Sequence, residues 1–259
     1  MKKCAVLGII FLFTIFNFAC KDDPQDDDPN INIEKEFKIL PWETLSSSDR
    51  SFHLNIETIQ PKSCENSQID FTSTNIGNQI SLIIKDIPEP DCPAPFFSAN
   101  ANYELGSLSP IEYSLQISLK DLVHNEGSLI VTDEYYEIAM ENLDGIIIPN
   151  TKLYKVPEAM IWGYVSYSSA NEAVYSEGFI DEVKGISENE EFQNGYYGYF
   201  SIENNSLNIL NEDLPKLFNP TFGFKFQDEI SQLETILADY RSLYPNIDFK
   251  IFTSTGEAL

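Results

Sequence analysis

The most regular pattern in the chain is the stretch "IEYSLQISL", where apolar and polar residues alternate without a break. Ile111, Tyr113, Leu115, Ile117 and Leu119 fall on one face and Glu112, Ser114, Gln116 and Ser118 on the other, the period of two that a half-buried β-strand requires. "SFHLNIE" repeats the pattern with Phe52, Leu54 and Ile56 inward and His53 outward. "QIDFTS", "QISLIIKDI" and "SLIVT" read as further strands, separated by turn residues such as "NIGN". About six strands over residues 36–133 predict an all-β sandwich.

The pattern changes after Asp133. "AMIWGYVSY" reads as a strand and "ANEAVYSEGFIDEVKGI" as a weak helix interrupted by Gly178. "GYYGYFSI" and "LNIL" flank "ENNS" as a hairpin, and "TFGFKF" sets Phe222, Phe224 and Phe226 on one face. The clearest helix is "DEISQLETILADYRSL", with Ile230, Leu233, Ile236, Leu237, Tyr240 and Leu243 on one stripe and Pro245 to stop it. "IDFKIFTST" closes the chain as a strand. If the last two strands are neighbours, the helix between them makes a right-handed crossover. Residues 134–259 therefore read as an α+β domain, and the whole as a multidomain chain.

The N-terminus carries a different signal. Lys2 and Lys3 precede an apolar run of 14 residues, Ala5 to Phe18. That run is too short to cross roughly 30 Å of hydrocarbon and fits the h-region of a secretory signal spanning residues 1–19. Ala19-Cys20 then resembles a bacterial lipobox, cut before a cysteine that receives lipid. Cys20-Lys21-Asp22-Asp23 is similar to the export signal of Bacteroidota surface lipoproteins. The resemblance implies lipid attachment at Cys20 and an address on the outer membrane, facing outward. Residues 20–35 would be a lipidated, acidic and disordered tether, reaching roughly 45 Å when extended.

"LSPIEY", Leu108 to Tyr113, resembles the tyrosine corner of immunoglobulin-like and fibronectin-like modules. That likeness implies an immunoglobulin-like sandwich over residues 36–133, in which the Tyr113 hydroxyl ties back to the backbone.

Charge narrows the partners. The full chain has 16 basic and 41 acidic side chains, a formal charge of −25. Such a surface repels nucleic acid, whose binding needs Lys and Arg on the phosphates. It also repels anionic lipid, so the anchor must come from the lipid. Beyond Cys20, the mature chain holds Cys64 and Cys92; in an oxidising setting they are expected to pair. The bridge contributes about 3–4 kcal/mol by restricting the unfolded chain.

Chemistry is sparse. His53 and His124 are the only histidines, and neither sits in an H-E-x-x-H or beside a G-x-S-x-G. The sequence implies no metal ligands, no cofactor and no catalytic set. Glu172, Glu177, Asp181 and Glu182, followed by Glu188, Glu190 and Glu191, offer carboxylates for a hydrolase, which needs two, although so dense a run more often forms a solvated face. The aromatic candidate is sharper. Trp162, Tyr197 and Tyr199 would share an outward surface, a platform on which a sugar ring could stack. The reading is a non-catalytic cell-surface lipoprotein that binds an extracellular glycan or protein. The alternatives are a carboxylate-dependent hydrolase in the C-terminal half and a structural part of an outer-membrane complex.

Overall fold

The computed structural model describes residues 34–87, 91–120, 122–210, 212, 214 and 216–259. The signal, Cys20 and the export residues Lys21, Asp22 and Asp23 lie outside the described residues. The described residues form one compact unit, mostly β with several sheets.

Ten strands build its first part: β1 (Phe37–Thr44), β2 (Ser51–Thr58), β3 (Asp70–Ile76), β4 (Gln79–Asp86), β5 (Asn100–Gly106), β6 (Glu112–Leu119), β7 (Val123–Val131), β8 (Tyr135–Met140), β9 (Ile146–Ile147) and β10 (Lys152–Tyr154). They form a four-stranded sheet, β5-β2-β1-β9, and a six-stranded sheet, β10-β8-β7-β6-β4-β3. One core joins the two. Phe37, Ile39, Leu54 and Ile56 from the first sheet cluster with Leu82, Leu115, Ile117 and Leu129 from the second. Most contacts are antiparallel, but β4 pairs in parallel with β6 and β1 with β9. The expected change of pattern at Asp133 comes later in space, because β8, β9 and β10 belong to these two sheets.

The alternation of "IEYSLQISL" holds from Tyr113 to Ile117, with Tyr113, Leu115, Ile117 and Leu119 buried; Ser118, outward by the pattern, is buried as well. Ile111 is the exception at 48% exposed. It precedes β6, in a turn where its N–H donates to the Ser109 carbonyl. Here the Tyr113 hydroxyl accepts from the Ser109 N–H at 3.1 Å and donates to the Ser109 carbonyl at 3.3 Å. The predicted tie to the backbone is present. Cys64 and Cys92 form the expected disulfide, with Cα atoms 5.9 Å apart and a sequence separation of 28.

The second part contains β11 (Met160–Ser166), α1 (Ala173–Gly185), β12 (Gly195–Tyr196), β13 (Phe200–Glu203), β14 (Ser206–Ile209), β15 (Thr221–Lys225), α2 (Ile230–Leu243) and β16 (Asp248–Thr253). β11 is the centre of a three-stranded antiparallel sheet, β15-β11-β16. The strands before and after α2 are therefore not neighbours: β11 lies between them. Every residue of β11 is buried, since both faces of its sheet are covered. On one face Ile161 and Val165 meet Phe179 and Val183 of α1 and Leu233 and Leu237 of α2. On the other, Met160 and Trp162 meet Phe200, Ile202 and Leu207 from the small sheet β12-β13-β14. Gly163 permits this close layering, because a Cβ there would stand 2.1 Å from the Lys250 carbonyl oxygen and 2.7 Å from the Phe222 ring. The stripe of α2 is shorter than its sequence implies: Leu243, in the last turn, is 67% exposed.

Candidate functional site

The aromatic platform is not on the surface. Trp162 is 2% and Tyr197 3% exposed, and Tyr199 is half-buried. The physical reason is local. "GYYGYFSI" is not one strand but two, with β12 pairing back onto β13 through Gly195↔Ile202 and Tyr196↔Ser201. Gly198 makes the turn at φ +84°, where the Tyr197 N–H donates to the Phe200 carbonyl. The turn rolls Tyr197 and Tyr199 inward. Trp162 lies 5.0 Å from the Phe200 ring and 5.8 Å from those of Tyr199 and Phe252, centroid to centroid. Tyr199 is 4.4 Å from Trp42 of β1. The hydroxyls are satisfied internally: Tyr199 donates to the Glu43 carbonyl at 2.9 Å and Tyr197 to the Gln193 carbonyl at 2.8 Å. Burial pushes the Tyr197 hydroxyl up to about 12. These residues are core.

His53 is also inside, 6% exposed, although it lies opposite the Phe52 and Leu54 phase. Its Nε2 pairs with Thr44 Oγ1 at 2.9 Å and its Nδ1 with Asn102 Oδ1 at 3.1 Å. His124 is in strand β7, with Nδ1 2.9 Å from Ser118 Oγ. Among the described residues no three His, Cys, Asp or Glu gather as a metal would require. The sequence-flagged acids are on the surface or half-exposed. Glu172 accepts the Ser169 N–H in a capping box before α1, while Glu188 and Glu190 flank Lys225 at 3.9 and 3.1 Å.

One acid that sequence reasoning missed is buried. Glu43 is 2% exposed, and its strand explains why: Phe37, Ile39, Pro41 and Glu43 occupy alternate, inward positions of β1. An acid in phase with Phe37 and Ile39 was the available signal. Tyr136 of β8 donates its hydroxyl to Glu43 Oε1 at 2.9 Å, and Arg50 Nη1 approaches Oε2 at 3.4 Å. Arg50 also donates to the Val156 carbonyl at 2.6 Å and to that of Ser254 at 3.4 Å. It thereby links the turn before β2 to the segment entering β11 and to the exit of β16. Burial raises the Glu43 carboxyl above its ordinary range, against the opposing pull of Arg50, Tyr136 and Lys155. The Tyr136 hydroxyl is raised by its own burial and then by the Glu43 charge. Burial lowers the Lys155 ammonium; it donates to the Thr132 carbonyl at 2.6 Å and stands 4.7 Å from the centre of the Tyr136 ring.

Arg50 and Lys155 also line a cleft of about 550 Å³, whose walls include Tyr154, Phe192 and Tyr197 and whose acids include Asp133, Glu158 and Glu191. A cleft beside a titratable group perturbed by burial is the default position for a binding site. A larger and more open hollow of about 640 Å³ lies at Asn150, Asn194, Tyr196 and Glu203. Among the described residues no helix is long and apolar enough to cross a membrane. No protein-family profile, curated protein or solved structure matches the chain.

Proposed function

We propose that this chain is a lipid-anchored, outward-facing binding protein without a catalytic role, fixed to the outer membrane through Cys20. The first two sheets serve as its stalk, and they and the turn before β2 also supply Tyr154 and Arg50 to the cleft. Their likeness to immunoglobulin-like modules rests on the tie at Tyr113, while the parallel β4–β6 contact departs from a purely antiparallel sandwich. The ligand lies in the cleft at Arg50 and Lys155.

The observation that carries this reading is how the cleft is held. Its two basic groups are anchored from behind by Glu43, Tyr136 and backbone carbonyls, so their positions are set before any ligand arrives, which lowers the cost of binding. A hydrolase would need a cleft carboxyl raised by partial burial to act as general acid. Glu43 is so raised, yet it lies behind the cleft lining and already accepts from Tyr136 and Arg50. The ligand class follows from the walls. Acids around the cleft disfavour a polyanion, Arg50 and Lys155 accommodate one carboxylate or polar oxygen, and Tyr154 and Phe192 offer flat apolar faces. A neutral or zwitterionic extracellular glycan or peptide meets these terms.

The test is binding of the purified chain to an array of such glycans and peptides, with Lys155→Met as the comparison. A charged hydrogen bond contributes about 1.5–3 kcal/mol, so the variant should bind its ligand at least roughly tenfold more weakly. Unchanged affinity in Lys155→Met would place the ligand elsewhere.

A further inference from the structure

β3 closes one side of the six-stranded sheet, and sheet edges invite pairing unless they are short, charged or covered. The other edges in the described residues carry such protection. β9 and β12 have two residues, β10 three and β14 four. The free side of β16 is covered by the C-terminal residues, with Leu259 N–H donating to Ile251 and Thr253 N–H to Glu257. β15 exchanges a backbone pair between Lys225 and Glu188. β5 is tied at Asn100 to Ser67 and Ile69, and carries Glu104.

β3 has none of these beyond the tie of the segment that enters it, Ser67 to Ile69, to Asn100 of β5. It runs for seven residues, Thr72 to Ile76 are all exposed, and its one charged residue, Asp70, stands at its end. It contains no proline or lysine, and its only irregularity lies between Asp70 and Phe71. Tyr103 donates its hydroxyl to the Thr74 carbonyl at 3.2 Å, which holds the strand extended beside the core.

We propose that β3 is the contact through which two copies of this chain pair, antiparallel and centred on Ser73. The register follows from the backbone. β3 joins β4 through the two residues Gly77 and Asn78, with Ile76 opposite Gln79, so Ile76, Thr74 and Thr72 are the positions bonded to β4. Phe71, Ser73 and Asn75 turn their N–H and C=O outward. Two copies related by a two-fold axis must match outward groups with outward groups, and centring on Ser73 does so over the whole strand. Phe71 then faces Asn75, Thr72 faces Thr74 and Asp70 faces Ile76. Threonine pairs favour such contacts, and no like charges oppose one another. The contact is isologous, hence closed at two copies. The net charge of −25 resists association, but the strand itself is nearly neutral, and salt screens charges farther off than about 8 Å at physiological ionic strength.

Full-length chain extracted in detergent tests this directly. Ser73 in a bonded antiparallel pair faces its own copy at a Cα separation of about 5.5 Å, within disulfide reach. Ser73→Cys should give a disulfide-linked dimer on mild oxidation. Ile76→Cys should not, because its copies would stand about 20 Å apart along the strands. In sedimentation the wild type should be a dimer and Thr72→Glu/Thr74→Glu a folded monomer, since both side chains are exposed. A monomeric wild type at every concentration, or equal cross-linking at residues 73 and 76, would overturn the proposal.

Discussion

Trp162→Ala should lower the unfolding free energy by about 3–5 kcal/mol, the range for removing a buried aromatic side chain. The indole is 2% exposed and packs between the central sheet and the β12-β13-β14 sheet, against Phe200 and Phe252. Nothing smaller can fill that volume without moving both layers, so the loss includes a cavity as well as the transfer of the ring. Urea unfolding, followed by circular dichroism, measures it. A loss below about 1 kcal/mol, the scale of a surface substitution, would mean that the tryptophan is accessible after all and that the aromatic platform should be reconsidered.

Arg50→Ala should be the second severe change, with a pH dependence that distinguishes it from simple loss of packing. Removing one partner of a buried ion pair leaves the other charge uncompensated, at about 3–5 kcal/mol. The low end applies here, because the Arg50 side chain is 24% exposed and its contact with Glu43 is long, at 3.4 Å. The direction with pH follows from Glu43. Its folded pKa is raised above the unfolded value of 4.5, so its contribution favours the folded state at low pH and is lost as pH rises through the folded value. Arg50 is the largest opposing pull on that carboxyl. Without it the value climbs further, and the variant should be weakest at neutral pH and recover on acidification toward 4.5. Glu43→Gln added to Arg50→Ala should restore most of the loss at pH 7 and flatten the pH profile. Urea unfolding of both variants over this range gives the answer; a deficit in Arg50→Ala that is the same at every pH would show that Glu43 is not its cause.

These two sites also show where the sequence is legible. β2, β4 and β6 follow from alternation because each presents one face to a single core, and Phe52, Leu54, Ile56, Leu115 and Ile117 are buried as that pattern requires. The middle of α2 follows from its stripe, with Leu233 and Leu237 buried. The cysteine pair, expected from the cysteine count and an assumed exported setting, forms. Alternation fails for β11, which is covered on both faces, so Trp162 has no outward phase to occupy. It fails again at Gly198, where a single residue at positive φ turns an apparent strand into a hairpin and reverses the direction of Tyr197 and Tyr199. Pairings between distant segments leave no local trace: Arg50 meets Val156 and Ser254, more than a hundred residues away, and the cleft exists only because Arg50 comes to lie beside Val156 and the segments around Asp133 and Phe192. Glu43 lies between these cases. Its position in phase with Phe37 and Ile39 marks an inward acid, but its partners Arg50 and Tyr136 can be named only from the fold.

The most direct measurement on the account as a whole is lipid labelling of growing cells combined with antibody staining of intact ones, for the wild type and for Cys20→Ser. The wild type should incorporate labelled palmitate and stain on the cell surface. Cys20→Ser should do neither while still being made. Persistent labelling of Cys20→Ser, or a labelled wild type that stains only after the cells are opened, would contradict a lipid-anchored protein that faces outward.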